Sequence, residues 1–60
     1  MANREIQARR EFNEYGYNWY PVMFVQYYNQ WVDIGWVRYK RPEGFTNPVD
    51  AIHFAKEGFL

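Results

Sequence analysis

Three residues near the C-terminus have the side chains best suited to chemistry, because Asp50, His53 and Glu57 are spaced at i, i+3 and i+7. On a helix this spacing places two carboxylates and an imidazole along one stripe, which is an arrangement that can bind a divalent ion. The same spacing is typical of a solvent-exposed helix face. We favour the exposed face, and we expect no metal site and no cofactor.

Nucleophilic catalysis lacks its usual residues in this chain. The sequence contains no Ser, no Cys and a single Thr, Thr46, which lies next to a predicted helix cap and is best explained by that position. A chain of 60 residues also leaves a large share of its surface in water, so it cannot enclose a sizeable catalytic cleft by itself. We therefore expect a protein that is not an enzyme.

A cluster of basic residues, Arg38, Lys40 and Arg41, surrounds Tyr39. Basic side chains interleaved with aromatic rings are what phosphate contact and base stacking require, so nucleic-acid binding is one alternative. The chain as a whole carries seven basic and seven acidic residues, which leaves no net field to attract a polyanion. The cluster can also be explained as a solubilising strand end that discourages edge pairing.

The aromatic content points to a binding surface. Six Tyr and three Trp are of the types most enriched in interface hot spots, because each combines a large contact area with a polar atom. Some of these rings must form the core, and the others are available for self-association or for a target protein. We predict a protein-binding surface made of Tyr20, Tyr28, Trp31 and Tyr39. A third alternative is that such rings hold a small nucleotide-like ligand between two subunits.

The centre of the chain predicts a β-hairpin. Residues 19–28 and 31–40 are rich in aromatic and β-branched residues, and Asn29 can adopt the positive φ of a two-residue turn. This turn places Phe24 opposite Gly35. Pro21 has no N–H to donate, so the first strand should be an edge or carry a bulge there. Phe45 and its neighbours could add a short third strand.

Both ends of the chain predict helices. Residues 1–14 carry three Arg and three Glu around a thin apolar stripe, which suits a short charged helix or a mobile arm. The second helix is the clearest element, because Asn47 is a suitable N-cap, Pro48 a suitable first residue and Gly58 a suitable end. The predicted core consists of Met23, Val25, Val32, Ile34, Trp36, Val49, Ile52, Ala55 and Phe59.

These elements predict a single α+β domain over residues 1–60, in which an antiparallel hairpin or three-stranded sheet at 17–46 packs against a helix at 47–58. One such helix covers one face of the sheet, so the other face needs a second copy or a target to cover it. No segment has the length and hydropathy of a membrane span, and we expect a cytoplasmic protein that contacts no membrane.

The outline of strand, turn, strand and capped helix resembles small accessory proteins of phages, and more distantly the three-stranded DNA-arm-binding domains of integrases. The resemblance is one of shape and size, and no motif assigns a role to a residue. It implies a viral protein that inhibits or modulates a host protein, and we expect such a binder to self-associate.

Overall fold

A computed structural model of the chain describes residues 4–58, which form a three-stranded antiparallel sheet followed by two helices. The elements are β1 (Arg4–Asn13), β2 (Gly16–Val25), β3 (Gln30–Asp33), α1 (Gly35–Lys40) and α2 (Pro48–Gly58). The strands lie in the order β1-β2-β3. The predicted α+β class, with a small antiparallel sheet packed against a C-terminal helix, is confirmed.

The prediction of an N-terminal helical arm is wrong, because residues 4–13 form strand β1. The reason is that packed and exposed residues alternate along β1, and this alternation is hard to recognise in the sequence because so many of the residues are charged. Ile6 and Ala8 pack against the core, whereas Glu5 and Gln7, which alternate with them, are exposed. Alternation of this kind suits a strand with one buried face, and pairing with β2 along the whole of β1 satisfies the backbone.

The β2–β3 hairpin exists, but its predicted register and turn are wrong. Phe24 lies opposite Trp31 instead of Gly35, and the two strands are joined by the four residues 26–29. The backbone of Asn29 does adopt a positive φ of 52°, as its residue type suggested. The longer turn moves each pairing by four residues, which shortens the second strand.

The second predicted strand, residues 31–40, ends early because its last part forms helix α1. In a helix, consecutive side chains point in different directions around the axis, whereas in a strand they alternate between two opposite directions. Trp36 stacks on Phe54 of α2, Val37 is fully buried, and Arg38 reaches across the sheet. These three consecutive side chains point in three different directions, which is possible in a helix but not in a strand.

The predicted third strand at Phe45 is reduced to a single bridge. Phe45 exchanges two backbone hydrogen bonds with Trp19, at N···O distances of 2.7 and 2.9 Å. These bonds lie along the same edge of β2 that pairs with β3 from Val22 onward. Pro21 lies between the Trp19–Phe45 bridge and the start of the β3 pairing. The missing N–H of Pro21 therefore faces a gap in the ladder, which agrees with the expectation that this proline requires an edge.

Helix α2 begins as predicted, because the Asn47 side-chain oxygen accepts a hydrogen bond from the Val49 N–H at 2.7 Å. The core beneath the helix is only partly as predicted. Ile34 and Ala55 are buried, whereas Val49 is exposed and Phe59 lies outside the described residues. The buried cluster consists of Ile34, Val37, Phe45, Ala51 and Ala55. Alanines at the helix contact let α2 approach the sheet closely.

The two sheet faces have different covers. The face that carries Ile6, Ala8 and Met23 packs against the cluster beneath α2. The opposite face, which we call the open face, carries Tyr20 and Phe24, and α2 does not lie on it. Arg38 of α1 and the segment that follows α1 cover Tyr20 on this face. The chain therefore covers much of this face itself, and the exposed rings of the strands and their turns lie at the two ends of the sheet.

Candidate protein-binding surface

The four residues predicted to form a binding surface do not lie together. Tyr20 is 1% exposed and belongs to the interior, whereas Trp31 is 36% exposed at the surface of β3. Tyr28 is 68% exposed in the β2–β3 turn, and Tyr39 is 87% exposed on α1. The predicted surface therefore needs correction at Tyr20, because this residue is buried.

Tyr20 connects the sheet to the segment that follows α1. Its hydroxyl donates a hydrogen bond to the Pro42 carbonyl at 2.7 Å and accepts one from the Asn13 amide at 2.8 Å. Gly44 lies so close to the ring that an added Cβ would be 2.8 Å from the Tyr20 Cζ atom. A ring that is buried, bonded at its hydroxyl and packed against glycine is a structural residue.

Arg38 covers the outer side of the Tyr20 ring and links all three strands. Its guanidinium lies 4.2 Å from the ring centroid, and its Nη2 atom lies 2.6 Å from Glu11 on β1 and 3.4 Å from Asp33 on β3. The ring, the two carboxylates and the guanidinium form a layer on the open face. We name this set of residues, Arg38 with Glu11, Asp33 and Tyr20, the arginine clamp.

The ion pairs of the clamp change the pKa of Arg38. Partial burial lowers this pKa, but the hydrogen bond to Glu11 and the charges of Asp33 and Glu11 outweigh the burial, so the pKa is raised. A cation whose pKa is raised on folding stabilises the fold fully below its unfolded pKa and loses that contribution as the pH rises through its folded pKa. The contribution of the Arg38 charge therefore stays constant through the neutral range.

We expect Arg38→Ala to reduce the free energy of unfolding by about 1–2 kcal/mol, because it removes a cation–π contact, two ion pairs and the packing of the alkyl chain. Lys40→Ala is the matched control, since Lys40 is an exposed cation two residues away on the same helix. It should change stability by less than about 0.5 kcal/mol. Urea unfolding followed by circular dichroism measures both, and equal losses would contradict the clamp.

The basic cluster proposed for nucleic-acid binding is largely occupied by contacts within the chain. Arg38 is paired in the clamp, and the Nε atom of Arg41 lies 3.0 Å from a Glu43 oxygen in an ion pair whose geometry is poor for a hydrogen bond. The Arg41 guanidinium also lies 4.5 Å from the Phe45 ring centroid. Binding a phosphate here would compete with these contacts, so the contacts of Arg38 and Arg41 favour a structural role, whereas Lys40 is exposed.

A shallow groove of about 570 Å³ runs between α2, the loop before it and the β1–β2 turn. Asp50, His53 and Glu57 line it together with Arg41. His53 and Glu57 are largely exposed, and the His53 Nδ1 atom lies 3.8 Å from a Glu57 carboxylate oxygen. Within residues 4–58, no three His, Asp or Glu side chains are grouped so that they could hold a metal ion, so the metal alternative gains no support.

Four rings gather at the β2–β3 turn, and we name Phe24, Tyr27, Tyr28 and Trp31 the aromatic tip. Tyr27 is 90% exposed and meets Tyr28 edge to face at 5.1 Å. Phe24 and Trp31 pair across the strands, also at 5.1 Å between centroids. Sequence reasoning missed Tyr27 and Phe24 as surface candidates, because it assumed a two-residue turn and assigned Tyr27 to a strand.

A second pair of exposed rings lies at the opposite end of the sheet. Phe12 and Tyr17 face each other across the β1–β2 hairpin, with ring centroids 4.7 Å apart. The Arg10 guanidinium lies 4.7 Å from the Tyr17 ring centroid and covers it. Phe12 and Tyr17 are 71% and 63% exposed, so this pair resembles the aromatic tip in exposure but carries a cation over one of its rings.

Comparison with models of protein families, with curated proteins and with solved structures finds no match to this chain. The helices within residues 4–58 are all too short to cross a membrane. Function must therefore be argued from the surface itself.

Proposed function

We propose that the chain is a non-catalytic binding module that contacts another protein through the aromatic tip and thereby inhibits or modulates it. The observation that carries this proposal is the exposure of Tyr27 and Tyr28, at 90% and 68%, beside the half-buried pair Phe24 and Trp31. Exposed apolar surface of this kind is unfavourable in water unless a partner covers it. The viral origin and the cytoplasmic location stay predictions.

The composition of the tip supports a protein partner. Tyr and Trp lose few rotamers on binding and offer large contact areas, so they recur as anchors in protein interfaces. The hydroxyl groups of Tyr27 and Tyr28 can keep water or partner hydrogen bonds at the rim. The turn residues 26–29 lie at one end of the three-stranded sheet, where exposed rings can enter a concave site on a partner.

The residue inventory supports an absence of catalysis. The chain has no Ser or Cys nucleophile, and its one His, His53, lies on an exposed stretch of α2 with Glu57 as its charged neighbour. A general base needs a reacting group held beside it and shielded from water. The shallow groove next to His53 does not provide that shielding.

The double variant Tyr27→Ala/Tyr28→Ala tests the proposal. We expect it to weaken binding of the partner about 100-fold or more, because two central ring anchors are removed. Its stability should stay within about 1 kcal/mol of the parent, since both rings are exposed. The measurement is co-purification from cells that carry the gene, followed by titration of the recovered partner by calorimetry.

The matched control is Phe12→Ala/Tyr17→Ala, which removes an exposed ring pair of similar size at the other end of the sheet. We expect this control to retain the partner with unchanged affinity. If both double variants lose the partner equally, or if the tip variant keeps it, then the aromatic tip is not the binding surface.

A further inference from the structure

Strand β1 forms one edge of the sheet, and its outer backbone edge is free among residues 4–58. The strand pairs with β2 over the whole range Arg4–Asn13, and no other described strand or bridge lies on its outer side. Edge strands of this length normally carry charged side chains, a proline, a bulge or a covering segment that limits further pairing, and of these devices β1 has the charged side chains. The described part of β1 has no proline, and its pairing with β2 is continuous without a bulge.

The backbone groups that face outward from β1 can be identified. Trp19 exchanges both of its hydrogen bonds with Phe45, so its N–H and C=O point away from β1. Arg10 lies opposite Trp19 and therefore points its own N–H and C=O away from β2. By the alternation of a strand, Ile6 and Ala8 also present their backbone groups at the free edge.

If two β1 strands pair with each other, one register places opposite charges on the open face next to each other. If two β1 strands pair antiparallel about a two-fold axis at Gln7, Glu5 lies opposite the partner's Arg9 in both halves. An axis at Ala8 instead places Glu5 opposite the partner's Glu11. An axis at Arg9 places that arginine opposite the partner's Arg9, and an axis at Ile6 opposes no charges on this face.

We propose that the chain forms a homodimer in which two β1 strands pair antiparallel about Gln7, so that two sheets join into one of six strands. The pairing is independent of the aromatic tip, because residue 4 of β1 lies beside Val25, next to the turn, and the free edge faces away from β3. The antiparallel arrangement places the two tips at opposite ends of the joined sheet. A dimer could therefore engage two partner sites together.

Helix α2 presents an apolar flank on the same side as the free edge. Phe54 contacts Phe45 and Trp36, which both lie toward β3. At 100° per residue the opposite flank of α2 carries Ile52, which is half-buried, and then Val49, which is exposed. Joining two sheets at β1 brings two copies of this flank toward each other, so Val49 would contact the second copy.

One feature opposes the register, because Arg10 lies opposite the partner's Arg4 at each end of the ladder. The Arg10 guanidinium is, however, held over the Tyr17 ring of its own chain. The two favourable Glu5 pairs lie nearer to the axis, where both strands are best ordered by their neighbours. The charge balance on the open face therefore decides the register.

A cysteine cross-link tests both the dimer and its register. In Gln7→Cys each new thiol lies on the axis at a non-hydrogen-bonded position, where the Cα atoms are about 4.5 Å apart and a disulfide can form. In Arg9→Cys the two thiols are offset by four residues, or about 13 Å. The chain has no other cysteine. We expect a covalent dimer from the first variant under mild oxidation and monomer from the second.

Charge reversal supplies an independent measurement by sedimentation equilibrium of the full chain. Glu5→Arg and Arg9→Glu should each weaken the dimer about tenfold or more, because two opposed pairs become like charges. The combined variant should restore the parent dissociation constant. A monomeric parent at millimolar concentration, cross-linking of Arg9→Cys instead of Gln7→Cys, or a combined variant as weak as the single ones would each overturn the proposal. Tyr27→Ala/Tyr28→Ala should leave the dimer unchanged, so failure of the tip is distinguishable.

Discussion

Replacing Tyr20 by Ala is expected to leave the chain largely unfolded at 25 °C. Removing a buried aromatic ring costs about 3–5 kcal/mol, and the partners of its hydroxyl, the Pro42 carbonyl and the Asn13 amide, would lose their hydrogen bonds. A domain of this size has a total stability of roughly 3–9 kcal/mol. Far-ultraviolet circular dichroism with a urea titration measures the loss.

Two further variants serve as controls. One separates the contribution of the Tyr20 ring from that of its hydroxyl, and the other measures the cost of removing an exposed tyrosine. Tyr20→Phe keeps the ring and the contact with Arg38, so it should cost about 1–2 kcal/mol for the lost hydrogen bonds. Tyr39→Ala removes an exposed tyrosine and should cost less than about 0.5 kcal/mol. A folded Tyr20→Ala with stability close to that of Tyr39→Ala would contradict the structural role of Tyr20.

The parts of the fold that could be predicted from the sequence are those that depend on neighbouring residues. The start of α2 follows from Asn47 and Pro48, whose side chains act within one turn. The positive φ at Asn29 follows in the same way from its residue type. Local interactions of this kind do not depend on where the rest of the chain lies.

The errors arise where distant residues decide the conformation. Residues 4–13 have a charge pattern compatible with a helix, and pairing with β2 makes them a strand. The segment at Trp36 looks like strand in isolation, yet packing against Phe54 and burial of Val37 require a helix. Tertiary contacts override local preference in both segments.

For the candidate binding surface, the sequence predicted the type of residue but not its location. Aromatic richness indicated that some rings must be exposed, and Tyr28, Trp31 and Tyr39 are at the surface. Tyr20 could not be excluded, because its burial depends on Pro42 and Gly44, which lie more than twenty residues further along the chain. A single register error was enough to misplace the surface.

Replacing Gly44 by Ala is expected to destabilise the fold strongly, because Gly44 combines a positive φ with close contact to the Tyr20 ring. The backbone of Gly44 has a φ of +71°, which is unfavourable for any residue with a Cβ. The new Cβ would also lie 2.8 Å from Tyr20 Cζ and 3.0 Å from the Trp19 carbonyl oxygen. We expect a loss of about 2–5 kcal/mol, as the sum of strained backbone and overpacking.

Gly16→Ala separates these two contributions, because Gly16 has a φ of +92° but open space where its Cβ would lie. Its cost should be the backbone strain alone, about 1–2 kcal/mol. The difference between the two variants in urea unfolding therefore measures the contact with Tyr20. Because that ring is held at its hydroxyl by Pro42 and Asn13, it cannot move aside. Equal losses would mean that the ring yields and that the Tyr20 network is weaker than its geometry indicates.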